Sequence, residues 1–239
     1  MPFHVSAPRQ NGARGLCTAA LVAVACAANP ATAQSVDGRW SGQLGLASEY
    51  VGKGLGKSAG DPSLNGTLEA SYGDLYGSVF ASTANLSQGS DAEIITALGW
   101  RPRAAGFAFD LSVMNRDLPG TRPGVDANYW EYQADVSRRF GRVSGRLRVN
   151  YTPDGFAATR QAWWIEAQAA APLGPRARAS AAFAVRSADG GVDYNAWNLG
   201  VKYNLSERWA IDARWYDTDS RSLGDSYDGR LVGALSFNF

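Results

Sequence analysis

From Arg142 to Tyr151 the residues alternate. Val143, Leu147, Val149 and Tyr151 fall on one side, and Ser144, Arg146, Arg148 and Asn150 on the other. A side-chain period of two is the signature of a strand with one apolar and one polar face. The pattern recurs along the chain. Trp197, Leu199, Val201, Tyr203 and Leu205 alternate with Asn198, Lys202 and Asn204, and Trp209, Ile211, Ala213 and Trp215 with Arg208, Asp212 and Arg214. Phe107 to Val113 and Ala177 to Val185 read the same way. No segment approaches the 18 or more apolar residues of a membrane helix, so any membrane crossing falls to strands.

Turn residues divide the chain into about twelve such strands, with 10 or 14 as alternatives. They are predicted at 39–52, 64–73, 75–84, 93–101, 106–115, 128–139, 142–152, 161–171, 176–187, 194–205, 208–218 and 229–239. Connections after even strands are short, as at Asp74, Phe140-Gly141 and Ser206-Glu207. Those after odd strands are longer and rich in Gly, Asp, Ser and Pro, as at Gly54 to Ser63, Arg116 to Ala127 and Ser220 to Asp228. Such alternation is that of an all-β, transmembrane, antiparallel up-and-down barrel, because lipid leaves no partner for an open sheet edge. Trp40, Tyr72, Tyr76, Trp100, Phe107, Phe140, Trp209 and Phe237 would form an aromatic girdle near the short turns. Tyr50, Trp130, Tyr151, Trp163, Trp197, Trp215 and Tyr227 would form another near the long loops. The short turns and both termini would lie in the periplasm of a bacterial envelope.

A soluble barrel or sandwich also alternates, with its apolar face inside. Two features weigh against it: the polar face carries charges of both signs, and the sequence closes with Leu231, Leu235, Phe237 and Phe239 at alternate positions. This closing segment resembles the assembly signal of bacterial outer-membrane barrels. At the other end, Arg9 and Arg14, the apolar stretch Leu16 to Ala28 and the small residues Ala31 and Ala33 read as a secretory signal. Cleavage after Ala33 would leave residues 34–239 as the barrel. A lipoprotein reading at Cys26 lacks the usual leucine. Cys17, Cys26 and the only histidine, His4, all precede that cleavage point. The mature chain therefore has no thiol or imidazole for nucleophilic catalysis, metal ligation or disulfides, and it reads as a non-enzyme without a cofactor. Its near-balanced charge, 23 Lys and Arg against 22 Asp and Glu in the whole sequence, gives no basis for binding nucleic acid.

The segments Leu46 to Leu55, Leu75 to Ser82, Tyr129 to Tyr132, Asp193 to Val201 and Trp215 to Asp219 resemble, in their order, the TorF-type porin family. Where relatives often have Arg-Gly after the first Tyr, this chain has Gly52-Lys53-Gly54. The resemblance covers nearly all of the mature chain and implies an outer-membrane β-barrel. It implies porin activity less directly, since the family's activity is inferred from its form. Outer-membrane lipid, periplasmic chaperones, the barrel assembly machinery and small polar solutes are the partners expected of such a barrel.

The alternation nominates a pore lining. Glu49, Glu69, Asp110, Glu131 and Asp135 come from strands one to six, and Arg146, Arg148, Arg178, Arg186, Lys202, Arg214 and Arg230 from the rest, with Glu166 and Asp212 as exceptions. Opposed walls of unlike charge would set a transverse field that favours dipolar or charged solutes. The competing expectation is that these charges pair and fill the interior. In particular, Asp135 should neutralise Arg146 across a tight hairpin. Eight strands fill with side chains and sixteen leave an aqueous channel, so twelve falls between the two. The expected activity is passive diffusion of small polar or charged solutes; the alternative is a non-conducting structural or adhesion barrel. Asp217, Asp219, Asp225 and Asp228 could supply oxygen ligands to Ca²⁺, but their spacing matches no Ca²⁺ loop and a solvated acidic loop is the simpler reading.

Overall fold

A computed structural model describes residues 38–239; the predicted leader and its cleavage site lie outside them. Twelve antiparallel strands close into a barrel. They are β1 (Gly38–Ala47), β2 (Ser63–Tyr72), β3 (Leu75–Thr83), β4 (Ala92–Trp100), β5 (Phe107–Asp117) and β6 (Asn128–Phe140). The second half comprises β7 (Val143–Gly155), β8 (Arg160–Pro172), β9 (Ala177–Ala188), β10 (Tyr194–Asn204), β11 (Trp209–Thr218) and β12 (Arg230–Asn238). Each strand pairs with the next in sequence, and β12 returns to β1 with Gln43 opposite Asn238 and Leu46 opposite Leu235. Closure leaves no unpaired edge, the condition a membrane-spanning sheet must meet.

The short connections are made by the residues that tight hairpins demand. Gly73 and Gly141 open two-residue turns at φ 59° and 61°, as in a II′ turn, where the first central position favours glycine. Those turns join Tyr72 to Leu75 and Phe140 to Val143.

The outer face is apolar. Leu44, Leu68, Leu98, Leu147, Ile165, Leu199 and Leu231 are all exposed around the wall. Trp40, Tyr72, Trp100, Phe140 and Trp209 point outward near the short-turn rim, and Trp130, Trp163, Trp197 and Trp215 outward near the long-loop rim. Three tyrosines expected in these girdles do not join them. Tyr50 and Tyr76 donate their hydroxyls to the interior carboxylates Glu93 and Asp110. Tyr227 packs edge-on against Tyr194, with ring centroids 5.5 Å apart. In each case the tyrosine ring or its hydroxyl has turned to an aromatic or polar partner inside the barrel.

The first strand is shorter than the predicted 39–52, because the chain leaves the wall after Ala47 and closes on itself. The Lys57 amide donates to the Tyr50 carbonyl at 2.7 Å, and the Tyr50 amide to Ser58 Oγ at 2.9 Å. Val51–Gly52 and Leu55–Gly56 pair as a miniature ribbon around Lys53 and Gly54. Both turn residues have positive φ, 51° and 80°, the pattern of a I′ turn. This ribbon folds into the barrel.

Candidate functional site

Three cavities follow one another down the lumen. The first, at the short-turn rim, measures about 570 Å³ and is lined by Tyr76, Arg101, Asp110, Asp135, Ser137 and Arg146 among others. Arg101 organises its wall. Its guanidinium donates to both oxygens of Glu69 at 2.6 and 2.9 Å and to Asp110 at 3.0 Å, and it sits 3.6 Å from the centre of the Tyr76 ring. A planar guanidinium suits both contacts at once.

The second cavity, about 330 Å³, lies at mid-barrel between Arg146, Arg148, Arg214 and Glu166 and the underside of the inward ribbon. Arg148 forks onto Asp135 at 2.8 and 2.7 Å, which the register places directly opposite it. Arg146 reaches diagonally to Glu166 at 2.6 Å, because residue 146 faces Gln168. The expected Asp135–Arg146 pair is therefore replaced by Asp135–Arg148. Arg214 contacts Asp212 on its own strand at 3.2 Å, Asn198 at 2.7 Å and Ser180 at 2.9 Å.

The third cavity, about 200 Å³, opens towards the long loops and is lined by Lys53, Lys57, Glu93, Tyr129, Glu131, Arg186 and Tyr194 among others. Beneath it stands a five-membered charge network. Glu93 accepts from Lys57 at 2.6 Å and Arg116 at 2.7 Å. Glu131 accepts from Lys53, and from Arg116 at 3.0 Å. Tyr50 adds a 2.6 Å hydrogen bond to Glu93, while Asn150 and Thr152 add 3.0 and 3.2 Å bonds to Glu131. Both carboxylates are 0% exposed, and charges so placed persist only when fully paired and hydrogen-bonded.

The ribbon is held on the far side as well. Tyr194 donates its hydroxyl to the Lys53 carbonyl at 2.8 Å. Leu55 packs on the cluster of Trp164, Ala184, Tyr194 and Ala196. Gly54 approaches so closely that a Cβ there would lie 2.5 Å from that of Ala196. The turn thus needs glycine for space as well as for φ. Lys53 lines both the second and third cavities, as Arg146 lines the first and second. Burial pulls the Lys53 ammonium down from 10.5 to about 8, against the opposing attraction of Glu131. Burial, and then the Glu93 charge, push the Tyr50 phenol well above its ordinary value.

The remaining nominated residues are distributed as follows. Glu49 accepts from Arg230, which also donates to the carbonyls of Asp225 and Asp228. Arg178 donates to Ser144, and Arg186 to the Val192 carbonyl. Arg178, Arg186 and Lys202 form no salt bridge among the described residues. Leu231 and Leu235 lie exposed on the outer face, and Phe237 stacks between Trp209 and Phe239. Asp217 is engaged by Arg221, and Asp219 by Asn195.

The expected transverse field is not what the wall presents. Adjacent strands lie only about 5 Å apart, so Asp135 and Glu166 find cations on neighbouring strands rather than across the barrel. Arg101, Arg116, Lys53 and Lys57 also place positive charge beside the acidic half. None of these four, nor Glu93, was among the expected lining. Parity could have found three of them: Glu93 and Arg101 keep phase with Ala97 and Gly99 opposite the outward Leu98 and Trp100, and Arg116 keeps phase with Asp110 and Met114. The lysines carry no such signal, since they lie on an inward loop.

The family described as "Bacterial protein of unknown function (Gcw_chp)" matches residues 30–231. No curated protein matches the sequence. Among solved structures the barrel is similar to the KdgM porin, at 8% identity and a TM-score of 0.58 over 83% of this chain and 99% of that one. It is similar to the NanC porin at 7% identity and 0.53, covering 84% and 98%. The COG4313 outer membrane channel from Pseudomonas putida F1 matches at 12% identity and 0.51, covering 88% and 98%. At such identities the likeness is one of fold.

Proposed function

We propose that this chain, which belongs to the Gcw_chp family of bacterial proteins of unknown function, forms a narrow outer-membrane channel for passive diffusion of small polar or charged solutes. The observation that carries the reading is the series of three cavities in the lumen, the first two sharing Arg146 and the second and third sharing Lys53 in their linings. A band of outward leucines and isoleucines flanked by aromatics suits a lipid surround. The TorF-type resemblance and the porin-like fold agree with it. In this reading the short turns face the periplasm, outer-membrane lipid covers the wall, and the assembly machinery inserts it. Passage needs no catalytic group or cofactor.

The inward ribbon favours one second reading, a barrel whose lumen its ion pairs close. Liposome swelling separates the two. Proteoliposomes of the refolded chain in isotonic glycine or a pentose should swell, and more slowly as solute size rises. Swelling no faster than that of empty vesicles would leave the closed barrel.

A further inference from the structure

We infer that the pore prefers small anions, and that Lys53 is the residue that sets this preference. The inference rests on the channel reading above and adds the solute class and the group that selects it.

The ion pairs of the lumen are unequal in exposure. At the ribbon, the Lys53 side chain is 30% exposed while its partner Glu131 is 0%, and Lys57 is 18% exposed against 0% for Glu93. At mid-barrel, Arg148 is 29% exposed against 9% for Asp135, and Arg146 28% against 15% for Glu166. In each pair the carboxylate is the more deeply buried partner and the cation the more exposed one. A solute passing through meets the cation first. Its field is felt at short range, whereas that of the carboxylate is weakened by distance. Arg214 and Asp212 reverse the order, 14% against 25%, but Arg178, Arg186 and Lys202 add positive side chains without a bridging carboxylate.

Lys53 holds the decisive place among these groups. Lys53 lines the cavities on both sides of the ribbon, so a solute moving between them passes it. The charged groups around it are Glu131, Arg116, Glu93 and Lys57 in the network, Arg186 above, and Arg146, Arg148, Arg214 and Glu166 below. Cations outnumber carboxylates in both chambers. The chambers, about 330 and 200 Å³, hold on the order of ten water volumes or fewer. That room suits chloride, a short carboxylate or a similarly small anion, rather than a long polyanion in a compact form.

The test is the reversal potential of the refolded full chain in planar bilayers across a KCl gradient, for the wild type, Lys53→Arg, Lys53→Gln and Lys53→Glu. The wild type and Lys53→Arg should favour chloride. Lys53→Gln should lower the chloride-to-potassium permeability ratio about two- to five-fold, the size expected of one unit charge a few ångströms from the path in a wet lumen. Lys53→Glu should carry the ratio below one. Tyr194→Phe removes the hydroxyl that holds the Lys53 carbonyl and no charge; it should alter conductance while keeping the wild-type ratio. Channels whose selectivity ignores the charge at position 53, or follows Tyr194→Phe equally, overturn the inference and leave the channel standing. Absence of channels in every variant overturns the channel reading, and this inference with it.

Discussion

Phe239 closes the barrel against Gly42: its amide and carbonyl exchange hydrogen bonds of 3.0 and 2.9 Å with those of Gly42. Its ring covers the space where a Cβ on residue 42 would stand. The last residue of the sequence is thus stapled to the first strand by backbone and capped by contact. Changing Gly42 to Val should force the ring aside at a cost of about 1–3 kcal/mol, the usual range for overpacking, read as a lower urea midpoint for the folded barrel. Phe239→Asp keeps the backbone pair but removes the aromatic stack on Phe237, and should lower the assembled fraction in the outer membrane. Unchanged midpoint and unchanged surface level would mean that the seam is not set by this contact.

The orientation of the wall predicts a contrast between two arginine changes. Leu147 is exposed on the outer face, and arginine there should cost about 2–4 kcal/mol in a lipid-based folding assay. Arg178→Gln removes a lumen charge that neutralises no carboxylate and should shift stability by less than about 0.5 kcal/mol. Arg148→Ala stands apart from both, because it strands the buried Asp135 and should cost about 1–3 kcal/mol. Equal effects of Leu147→Arg and Arg178→Gln would mean that Leu147 does not face lipid, and a reversed order that the two faces are exchanged.

Alkaline pH should change selectivity. With its ammonium pulled down to about 8, Lys53 loses its proton in the folded barrel as pH rises from about 7 to 9. In the unfolded chain it stays charged to about 10.4. The anion preference should therefore fall over pH 7–9 in the wild type and hold steady in Lys53→Gln. Between about pH 8 and 10.4 the unfolded chain binds more protons at this group, so its linkage contribution to stability grows with pH. A midpoint above pH 10, or the same titration in Lys53→Gln, would contradict the assignment.

Much of the barrel was legible in the sequence because a period of two states which face each residue takes. Val143 to Tyr151 and Trp197 to Leu205 could be assigned in and out without coordinates, and the long and short connections gave the hairpin order. Register was less accessible. Asp135 meets Arg148 and not Arg146 because the two-residue turn occupies Gly141 and Arg142 rather than Phe140 and Gly141, which moves its partner two residues along, a detail that alternation alone does not carry. The inward ribbon was least legible. Val51 and Gly52 read as the end of the first strand and Gly54 onward as a loop, and only the charges waiting on other strands, Glu93, Arg116 and Glu131, explain why the segment turns inward. Those partners lie 36 to 78 residues away in sequence from Lys57 and Lys53, beyond the reach of any local pattern.

Single-channel conductance tests most directly whether a continuous water path, narrowed by the ribbon, crosses the barrel. The full refolded chain should show small, discrete current steps in planar bilayers. Replacing residues 51–56 by Gly-Gly, which removes the ribbon while leaving β1 and β2 intact, should give clearly larger steps in the same salt. A silent wild type beside a conducting shortened chain would identify the ribbon as a plug. Equal steps in both would place the constriction elsewhere, and either result would contradict the path described.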